Sequence, residues 1–541
     1  MIKRLFNGEI NSVAVAAFLI AASSLVSRFL GIFRDRILAG QFGAGDTLDI
    51  YYAAFRVPDL VYNLLVLGAL SAGFIPIFTG LIKNKKHGSD ENKEAWQLAN
   101  DVLNIFIVVL IFLCSAGIVL APFFMKLIAP GFSDEKLILT VGLAKIMFLS
   151  PIFLGISAVF GGILQSFKRF FVYSLSPIFY NIGIIIGALF FTPIWGIYGL
   201  AWGVALGAFA HFIVQLPTAI HLGFRYCFRF NFHSKKVREI CAMMAPRTMS
   251  LAISQINLVV ITIIASTLAS GSLSIFNFAN NLQSFPIGIF GISFAVAVFP
   301  ALSSMAFDKK NLIKHISLTV RQILFFIVPA TVLLITLRAQ IIRVVLGTGQ
   351  FGWQDTILTM NTLGFFSLSL FAQSLIPLLV RVFYARHDSK TPFIIGLIVA
   401  LANVWLSLWL SNKMGVAGLA LAFSIANILN LIILWMALHW KIGSLDELKI
   451  LFSAIKFSSA AIVCGVVVQG MKLVIWSYID MTKFWGVFVQ GATAGAFGFF
   501  IYLAICSFLR SEELSDFWVS FKRRLPWSKI ETSDQSEARG I

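Results

Sequence analysis

The chain has 541 residues, of which 59% are hydrophobic and 12% are charged, and its mean hydropathy is +0.89. Soluble domains carry about 25% charged residues, so this composition excludes a water-soluble protein. The formal net charge of +18 does not indicate nucleic-acid binding, because the basic residues form short runs beside apolar segments, as at Lys235 and Lys236. Such runs are typical of loops that face anionic lipid. We therefore predict a membrane protein with no nucleic-acid partner.

Fourteen apolar stretches of about 20 residues or more follow one another along the chain, separated by short loops. The helices predicted from them are 11–33, 47–82, 95–121, 137–166, 172–192, 195–220, 237–268, 272–306, 315–341, 355–386, 392–411, 414–441, 449–475 and 482–510. Barrel strands would alternate apolar and polar residues, so the pattern predicts an all-α polytopic membrane protein. Lysines and arginines concentrate on every second loop, which predicts the bacterial inner membrane with both termini in the cytoplasm. The first stretch has no small-residue cleavage site, so we expect it to remain as the first membrane helix.

Prolines interrupt two of the predicted spans in comparable places. The span 47–82 would be on the order of 54 Å long as one helix, against a hydrocarbon core of about 30 Å. Pro58 and Pro76 lie within it, and Pro286 and Pro300 lie within the span 272–306. We expect bends near these prolines, and the likeness indicates an internal repeat.

A second sign of a repeat is the segment GIYGLA at 196–201, which returns as GVAGLA at 415–420. A helix that carries an asparagine, Asn181 or Asn403, precedes each copy. Two parallel repeats of six helices leave two helices over, and the substrate path of such a transporter lies between the lobes. The predicted domains are an N-terminal lobe at 1–222, a C-terminal lobe at 223–442, the two remaining helices at 443–510 and a cytoplasmic tail at 511–541.

Charged residues inside apolar stretches are the first candidates for function, because a charge at mid-bilayer costs at least about 2.5 kcal/mol. These residues are Arg28, Arg56, Lys145, Arg247, Arg321, Arg381 and Lys456. They are expected to face an aqueous cavity, a partner or the membrane interface. For Lys145, Arg321 and Lys456 we favour side chains that extend to the interface.

The first two predicted helices are richest in such charges. Arg28 is followed by Arg34 and Asp35, and Arg56 and Asp59 lie on one face of the second helix. A guanidinium binds phosphate through two hydrogen bonds and stays charged, so these arginines suit a substrate that bears a pyrophosphate. The alternative is that Arg28 and Arg34 reach an interface or pair with the two aspartates without contacting a substrate.

Enzyme motifs are missing from the sequence, which has no helical pair of metal-binding histidines, no nucleophile elbow and no phosphate-binding glycine loop. Its five cysteines are scattered without metal spacing. We predict no catalytic residue, no metal and no cofactor. Transport would then draw on an ion gradient, the membrane potential or the gradient of the substrate.

Several short segments resemble a known family in order and in kind. They are SRFLG at 27–31, RD at 34–35, FGAG at 42–45, PR at 246–247, SQIN at 254–257, PIGIFG at 286–291, FYAR at 383–386 and DSKTP at 388–392. With them, nearly the whole chain resembles the MurJ (MviN) family of lipid II flippases, in the multidrug/oligosaccharidyl-lipid/polysaccharide (MOP) exporter superfamily.

The resemblance implies two six-helix lobes in a V that opens alternately to either side of the membrane, with the last two helices forming a groove for the undecaprenyl tail. It implies that lipid II is moved from the inner to the outer leaflet for peptidoglycan synthesis by a monomer that contacts membrane lipids, with the cell-wall synthesis machinery as a candidate partner. The family's cavity arginines match Arg28, Arg34 and Arg56, and to these candidates for substrate binding we add Arg247, Asn280 and Asn281 as further donors to phosphate. The family's acids match Asp35 and Asp49, and with Asp59, which lies beside Arg56, they are the candidates for gating or charge balance.

The chain departs from the family where Tyr62 and Asn281 replace arginines and where a glutamate near Leu67 is absent. Fewer cations attract phosphate less strongly, although Arg247 and amide donors compensate in part. Export of another prenyl-linked glycan, or of drugs by a MATE-like transporter, therefore stays an alternative, as does a membrane scaffold that recruits wall-synthesis enzymes. A glycosyltransferase is disfavoured because the longest loops have only about 15–20 residues.

Overall fold

The computed structural model describes residues 13–67, 73–82, 92–231, 234–515 and 517–518, and these residues form helices without a β-strand. The helices are α1 Val13–Phe42, α2 Asp46–Tyr62, α3 Ile75–Leu81, α4 Lys93–Ile128, α5 Asp134–Ser166, α6 Phe170–Trp195, α7 Tyr198–His221, α8 Lys235–Ser266, α9 Ser272–Ser304, α10 Lys309–Thr336, α11 Arg338–Val345, α12 Trp353–Ser367, α13 Leu370–Ala385, α14 Lys390–Met414, α15 Val416–Ile442, α16 Glu447–Trp476 and α17 Phe484–Phe508. Within the described residues, ten helices are long and apolar enough to cross a membrane, or eleven if the bent pair α12 and α13 is one span. The predicted all-helical, multi-pass membrane protein is confirmed.

Each predicted span corresponds to one helix or to two consecutive helices of the structure. The clearest difference is at α1, which was expected to end at 33 and continues as one helix to Phe42. The predicted span ends where the apolar stretch ends, and the charged residues Arg34, Asp35 and Arg36 follow it. The structure instead gives these side chains partners on other helices, so the helix continues and presents Arg28, Arg34 and Asp35 on one rigid element.

Both proline-interrupted spans widen into a π-helical turn. The turn Asn63–Leu67 comes directly after α2, which contains Pro58, and in α9 the turn Ile287–Ile292 follows Pro286 directly. Proline has no backbone N–H and crowds the preceding turn, so a nearby turn with altered hydrogen bonding is a common outcome. Pro76 lies in the first turn of α3, where its missing N–H costs little. The likeness between the two spans is therefore present in the structure.

The local conformation also repeats at the GxxGLA segments. Gly196 and Gly415 both have left-handed backbone, with φ of +57° and +59°. Each carbonyl accepts a hydrogen bond from the amide three residues later, at 3.0 Å in both copies. A turn with the same kind of left-handed residue follows α5 at Lys168 and α13 at His387, with φ of +59° and +58°. These pairs support the predicted internal repeat.

Glycines let α6 and α7 cross at very short range. A Cβ added to Gly187 would lie 2.3 Å from the Cα of Gly203, and one added to Gly183 would lie 2.2 Å from the Cα of Gly207. Small residues at such crossings allow the backbones of membrane helices to pack closely. The glycine spacing in this part of the sequence therefore serves packing.

The chain divides into two compact units, one made of residues 1–285, 341–369 and 393–430, and the other of residues 286–340, 370–392 and 431–541. The first has an aromatic core around Phe74, Phe78 and Phe160, which α3, α4 and α5 bury. In the second, α16 packs against both α10 and α17, and the Tyr502 hydroxyl donates to the carbonyl of Phe325 at 2.7 Å. The predicted lobe boundaries at 222 and 442 stay a prediction.

Candidate functional site

Helix α1 carries an arginine and an aspartate that pair although they are neighbours in sequence. Nε and Nη2 of Arg34 donate to Oδ1 of Asp35 at 3.0 and 2.8 Å. The remaining terminal nitrogen, Nη1, donates to Oδ1 of Asn181 on α6 at 3.1 Å. The Asp35 side chain is 5% exposed and the Arg34 side chain 21% exposed. All three nitrogens of the guanidinium are thus engaged in one partly buried network.

The second oxygen of Asp35 is held from helix α9. Asn281 donates from Nδ2 to Oδ2 of Asp35 at 2.8 Å. This is the position at which the resemblance leads one to expect an arginine. An amide supplies the hydrogen bond but not the positive charge of an arginine. Among the groups of the described residues that donate to Asp35, Arg34 is therefore the one that neutralises its charge.

Asn181 connects the first and sixth helices at the same place. Its Nδ2 donates to the Ser27 hydroxyl of α1 at 3.3 Å and to the carbonyl of Pro177 at 3.0 Å. Its Oδ1 accepts the hydrogen bond from Nη1 of Arg34. The repeat partner Asn403 on α14 makes a comparable bond, to Oδ1 of Asn257 on α8 at 2.8 Å. The sequence singled out Asn181 as a marker of the repeat, and its contact with Arg34 required the fold.

Arg56 on α2 projects toward α8 and α9. Its Nε donates to the Thr262 hydroxyl at 2.8 Å and its Nη2 donates to Oδ1 of Asn277 at 2.9 Å. Both acceptors are neutral, so neither cancels the charge of the guanidinium. Asp59 lies three residues further along α2, on the same side of the helix. Thr262 and Asn277 carry no sequence signal that would have marked them as partners.

Arg28 is half-buried near the other end of the polar stretch of α1. Its Nη1 donates to the backbone carbonyl of Ser284 on α9 at 3.3 Å. The neighbouring Phe29 packs edge-on against Phe285, with ring centroids 5.5 Å apart. This arginine also has a neutral acceptor, and its position leaves it partly accessible to a ligand.

Asp49, which the resemblance assigns to gating or charge balance, caps a helix in this structure. Its two carboxylate oxygens accept bonds from the amide of Gly271 at 2.7 Å, the amide of Ser274 at 2.8 Å and the Ser274 hydroxyl at 2.9 Å. These groups form the start of α9, where unpaired N–H groups and the helix dipole favour a negative charge. Asp49 is 4% exposed, and its contacts tie α2 to α9.

A cavity of about 350 Å³ adjoins the Arg34 network within the first unit. Its polar wall includes Arg34, Asp59 and His211, and aromatic side chains of Tyr62 and Tyr180 face it as well. Tyr62 is the second position at which an arginine is replaced. The cavity thus has one guanidinium and one carboxylate on its wall, with phenol hydroxyls as further hydrogen-bond donors.

The remaining assigned residues are placed as follows. Oδ1 of Asn280 accepts a bond from Gln283 at 3.0 Å within α9. The side chain of Arg247 lies outside the described part of the chain. The structure therefore brings Arg34, Asp35 and Asn281 into direct contact and leaves the placement of Arg247 as a prediction. Among the described residues, no three histidine, cysteine, aspartate or glutamate side chains are grouped to bind a metal.

Arg321 corrects an expectation from the sequence. A side chain extended to the interface would be exposed, but Arg321 on α10 is 5% exposed and pairs through Nη1 with Glu512, at 3.1 Å, and with Glu513. Both acids follow α17 and are far away in sequence. A buried arginine is tolerated here because two carboxylates neutralise it.

Comparisons with known proteins agree with this architecture. The family model described as Lipid II flippase MurJ matches residues 38–488. A probable lipid II flippase MurJ of Vibrio cholerae serotype O1 is 30% identical over 508 residues, which cover 91% of this chain and 95% of that protein. A solved structure of lipid II flippase MurJ in an inward closed conformation has a TM-score of 0.74 at 27% identity and covers 91% of this chain and 98% of that one. A multidrug resistance MATE family transporter of the MOP superfamily has a TM-score of 0.66 at 15% identity, over 80% of this chain and 99% of that one, which is a likeness of fold alone.

Proposed function

Because the chain belongs to the MurJ family of lipid II flippases, we propose that it carries lipid II from the inner to the outer leaflet by alternating access, with arginines of α1 and α2 holding the pyrophosphate. The protein is a multi-pass membrane transporter and not an enzyme. Its cycle makes and breaks no covalent bond, so binding and conformational change account for the whole activity.

The observation that carries the proposal is the kind of acceptor that these arginines have. In the described part of the chain, the hydrogen bonds of Arg28 and Arg56 end on a backbone carbonyl, a hydroxyl and an amide oxygen. A guanidinium already makes a charge-assisted hydrogen bond to a neutral oxygen, and a phosphate oxygen adds the attraction between opposite charges, which is strong away from bulk water. A pyrophosphate that reaches either guanidinium therefore exchanges a neutral acceptor for an anionic one, which favours binding.

Arg34 is set differently, because its acceptor is already an anion. Asp35 accepts hydrogen bonds from two nitrogens of Arg34, and a further hydrogen bond from Asn281 holds Asp35 in place. A phosphate competes best for Nη1, which donates to the neutral oxygen of Asn181. Asp35 then keeps the guanidinium oriented toward the cavity and moderates its attraction, so the substrate is released at the end of the cycle.

The size of the cavity indicates that the cavity must widen during the transport cycle. A volume of about 350 Å³ lies near the lower end of the range for small-molecule pockets, about 300–1,000 Å³. It suits a phosphate group and part of a sugar, whereas the whole headgroup of lipid II is a disaccharide with a peptide. Alternating access must therefore open this space before the headgroup enters.

The finer organisation forms part of the same proposal. We place both termini in the cytoplasm on the basis of the lysine and arginine distribution, and the two six-helix lobes at 1–222 and 223–442. The apolar faces of α16 and α17 have many exposed side chains, among them Phe452, Ile462 and Phe500, which suits contact with lipid and with the undecaprenyl tail. The protein acts as a monomer, and the tail beyond Trp518 is the segment available to the cell-wall synthesis machinery.

The test measures lipid II on the outer surface of cells that are depleted of their own flippase and express this protein. Wild type is expected to restore surface lipid II, and Arg28→Ala and Arg56→Ala are expected to lose most of that restoration while remaining inserted in the membrane. Lys483→Ala is the matched control, because the Lys483 side chain is 77% exposed in a loop and its loss also removes one cation.

Two outcomes contradict the proposal. If wild type is well inserted and restores no surface lipid II, the cargo is another molecule. If deletion of residues 519–541 abolishes the restoration while the arginine variants retain it, the protein acts as a scaffold. This deletion is placed after Trp518 so that Glu512 and Glu513, which pair with Arg321, are retained.

A further inference from the structure

A second cationic cavity lies at the beginnings of α10 and α16, within the second unit. Its volume is about 360 Å³. The residues that line it are Lys310, Ile313, Lys314, Ser317, Leu318, Arg321, Ser444, Asp446 and Lys449. Four of the nine side chains are cations and one is an anion, so the lining by itself has a positive charge. None of these residues lines the cavity beside Arg34.

The cations of α10 form a stripe that runs from the surface inward. Lys310, Lys314, Ser317 and Arg321 recur every three or four residues and so lie on one face of the helix. Lys310 and Lys314 are exposed, whereas Ser317 and Arg321 are buried. The stripe therefore leads from solvent to a buried guanidinium, as the wall of a binding pocket does.

This placement of charge is unfavourable for the helix by itself. Cations destabilise the first turns of a helix, because the N-terminal end of the helix dipole is positive. Lys310 and Lys314 are four residues apart, and like charges at this spacing repel. Asp308 caps the helix through the amide of Asn311 at 3.2 Å and supplies a negative charge at its start. An external anion between the two lysines would relieve the remaining repulsion.

The glutamates beside the pocket are engaged with two of its own cations, Arg321 and Lys449, which leaves Lys310 and Lys314 as the cations to consider. Glu513 pairs with Arg321 and accepts bonds from Ser453 and Ser511 at 3.0 and 2.8 Å. Glu512 pairs with Arg321 at 3.1 Å and with Lys449 at 3.3 Å. The hydrogen bonds and charges of these cations lower the pKa of Glu512, so this carboxylate stays ionised.

Two further contacts bear on what the pocket can still bind. The carboxylate of Asp446 accepts a bond from the Ser317 hydroxyl at 2.9 Å, which holds it against α10. Nε of Arg321 is buried and has no hydrogen-bond partner in the described part of the chain. A buried donor without an acceptor costs free energy, so a ligand oxygen that reached it would be favoured.

The pocket lies where two membrane helices begin, which is the depth of lipid headgroups. Basic pockets between membrane helices recognise phosphate headgroups at this depth. We propose that the cavity between α10 and α16 binds a phosphate group at the membrane interface, carried by an anionic phospholipid or by free phosphate, with Lys310 and Lys314 as its principal ligands.

The experiment follows thermal unfolding of the full chain in neutral detergent by tryptophan fluorescence. In the first arm short-chain phosphatidylglycerol is titrated, and short-chain phosphatidylcholine is the zwitterionic comparison. In a separate arm inorganic phosphate is titrated and compared with chloride at equal ionic strength. The variant Lys310→Gln/Lys314→Gln removes two cations from the pocket. The matched control Lys235→Gln/Lys236→Gln removes two cations from the beginning of α8, outside the pocket.

We expect phosphatidylglycerol to raise the unfolding midpoint of wild type and of the control variant until binding saturates. The apparent affinity of the pocket variant for phosphatidylglycerol should be at least tenfold weaker than that of wild type. Without any added anion, the pocket variant should unfold at a higher temperature than wild type, because the lysine repulsion is gone. A phosphate-only response that the pocket variant loses identifies free phosphate as the ligand. The proposal would be overturned if the pocket variant and the control variant responded equally to phosphatidylglycerol. It would also be overturned if phosphatidylcholine stabilised wild type as much as phosphatidylglycerol does. The single variants Lys310→Gln and Lys314→Gln replace the double variant if that variant does not fold.

Discussion

Replacing Arg34 by alanine separates a structural role of this arginine from a role in transport. The substitution leaves the Asp35 carboxylate, whose side chain is 5% exposed, with Asn281 as its remaining donor among the contacts described above. Removing one partner of a buried ion pair costs about 3–5 kcal/mol. Because Arg34 itself is 21% exposed and Asn281 stays bonded, we expect the lower end of that range, about 3 kcal/mol.

The double variant Arg34→Ala/Asp35→Asn removes the unpaired charge as well. It should recover most of the lost stability, since the asparagine has the same shape and can still accept the bond from Asn281. Thermal or chemical unfolding in detergent of wild type, Arg34→Ala, Asp35→Asn and the double variant gives the four free energies of the cycle. Equal stability of Arg34→Ala and the double variant would contradict this account, because it would show that the unpaired Asp35 carboxylate carries little penalty.

Transport should follow a different order. If Arg34 holds pyrophosphate, both Arg34→Ala and the double variant lose lipid II on the outer surface of the depleted cells, although the double variant is nearly as stable as wild type. Restoration of surface lipid II by the double variant would refute this reasoning, because it would mean that Arg34 serves only to neutralise Asp35.

Three further substitutions test helix packing, helix capping and the ion pair of Asp388, which lies between α13 and α14. Gly187→Ala should lower the stability by about 1–3 kcal/mol, because the new Cβ would lie 2.3 Å from a backbone atom of α7, whereas Gly396→Ala, whose Cβ meets nothing within 4 Å, should be nearly neutral in the same unfolding assay. Asp49→Ala should cost at least about 1–2 kcal/mol through loss of the α9 cap, and an unchanged unfolding midpoint would contradict the capping role. Although partial burial opposes it, bonding to Lys441 and Thr391 lowers the pKa of Asp388 to about 2, so its stabilising contribution is full above the unfolded value of about 3.9 and is lost as the pH falls through 2. Wild type and Asp388→Asn should therefore differ in unfolding midpoint at pH 7 and converge toward pH 2; a constant difference would exclude this titration.

Local features of the sequence were sufficient for the architecture. Hydropathy predicted the helices because a membrane helix must bury its own backbone polar groups and cover them with apolar side chains, and both requirements are met by consecutive residues. The breaks after Pro58 and Pro286 and the left-handed turns at Gly196 and Gly415 are likewise decided within a few residues.

The resemblance pointed to the arginines of the site, but their partners depended on the fold. Nothing near Arg34 in the sequence shows that Asn181 accepts a hydrogen bond from it, or that Asn281 donates a hydrogen bond to the neighbouring Asp35. The same reason explains the wrong expectation for Arg321, whose carboxylates follow the last membrane helix. A sequence shows that a charge lies in an apolar stretch and must be compensated, whereas the group that compensates it can come from any helix that packs alongside.

Asp49 illustrates the same division between sequence and structure. Its position early in the second helix was visible in the sequence, and it was predicted to serve gating or charge balance. Only the packing of α2 against the start of α9 brings it within 2.7–2.9 Å of the groups of Gly271 and Ser274. The sequence by itself therefore determined the membrane helices, the repeat and the location of the charges. The tertiary structure decided which charges are paired and which keep neutral partners, because hydrogen bonds form between residues far apart in the chain.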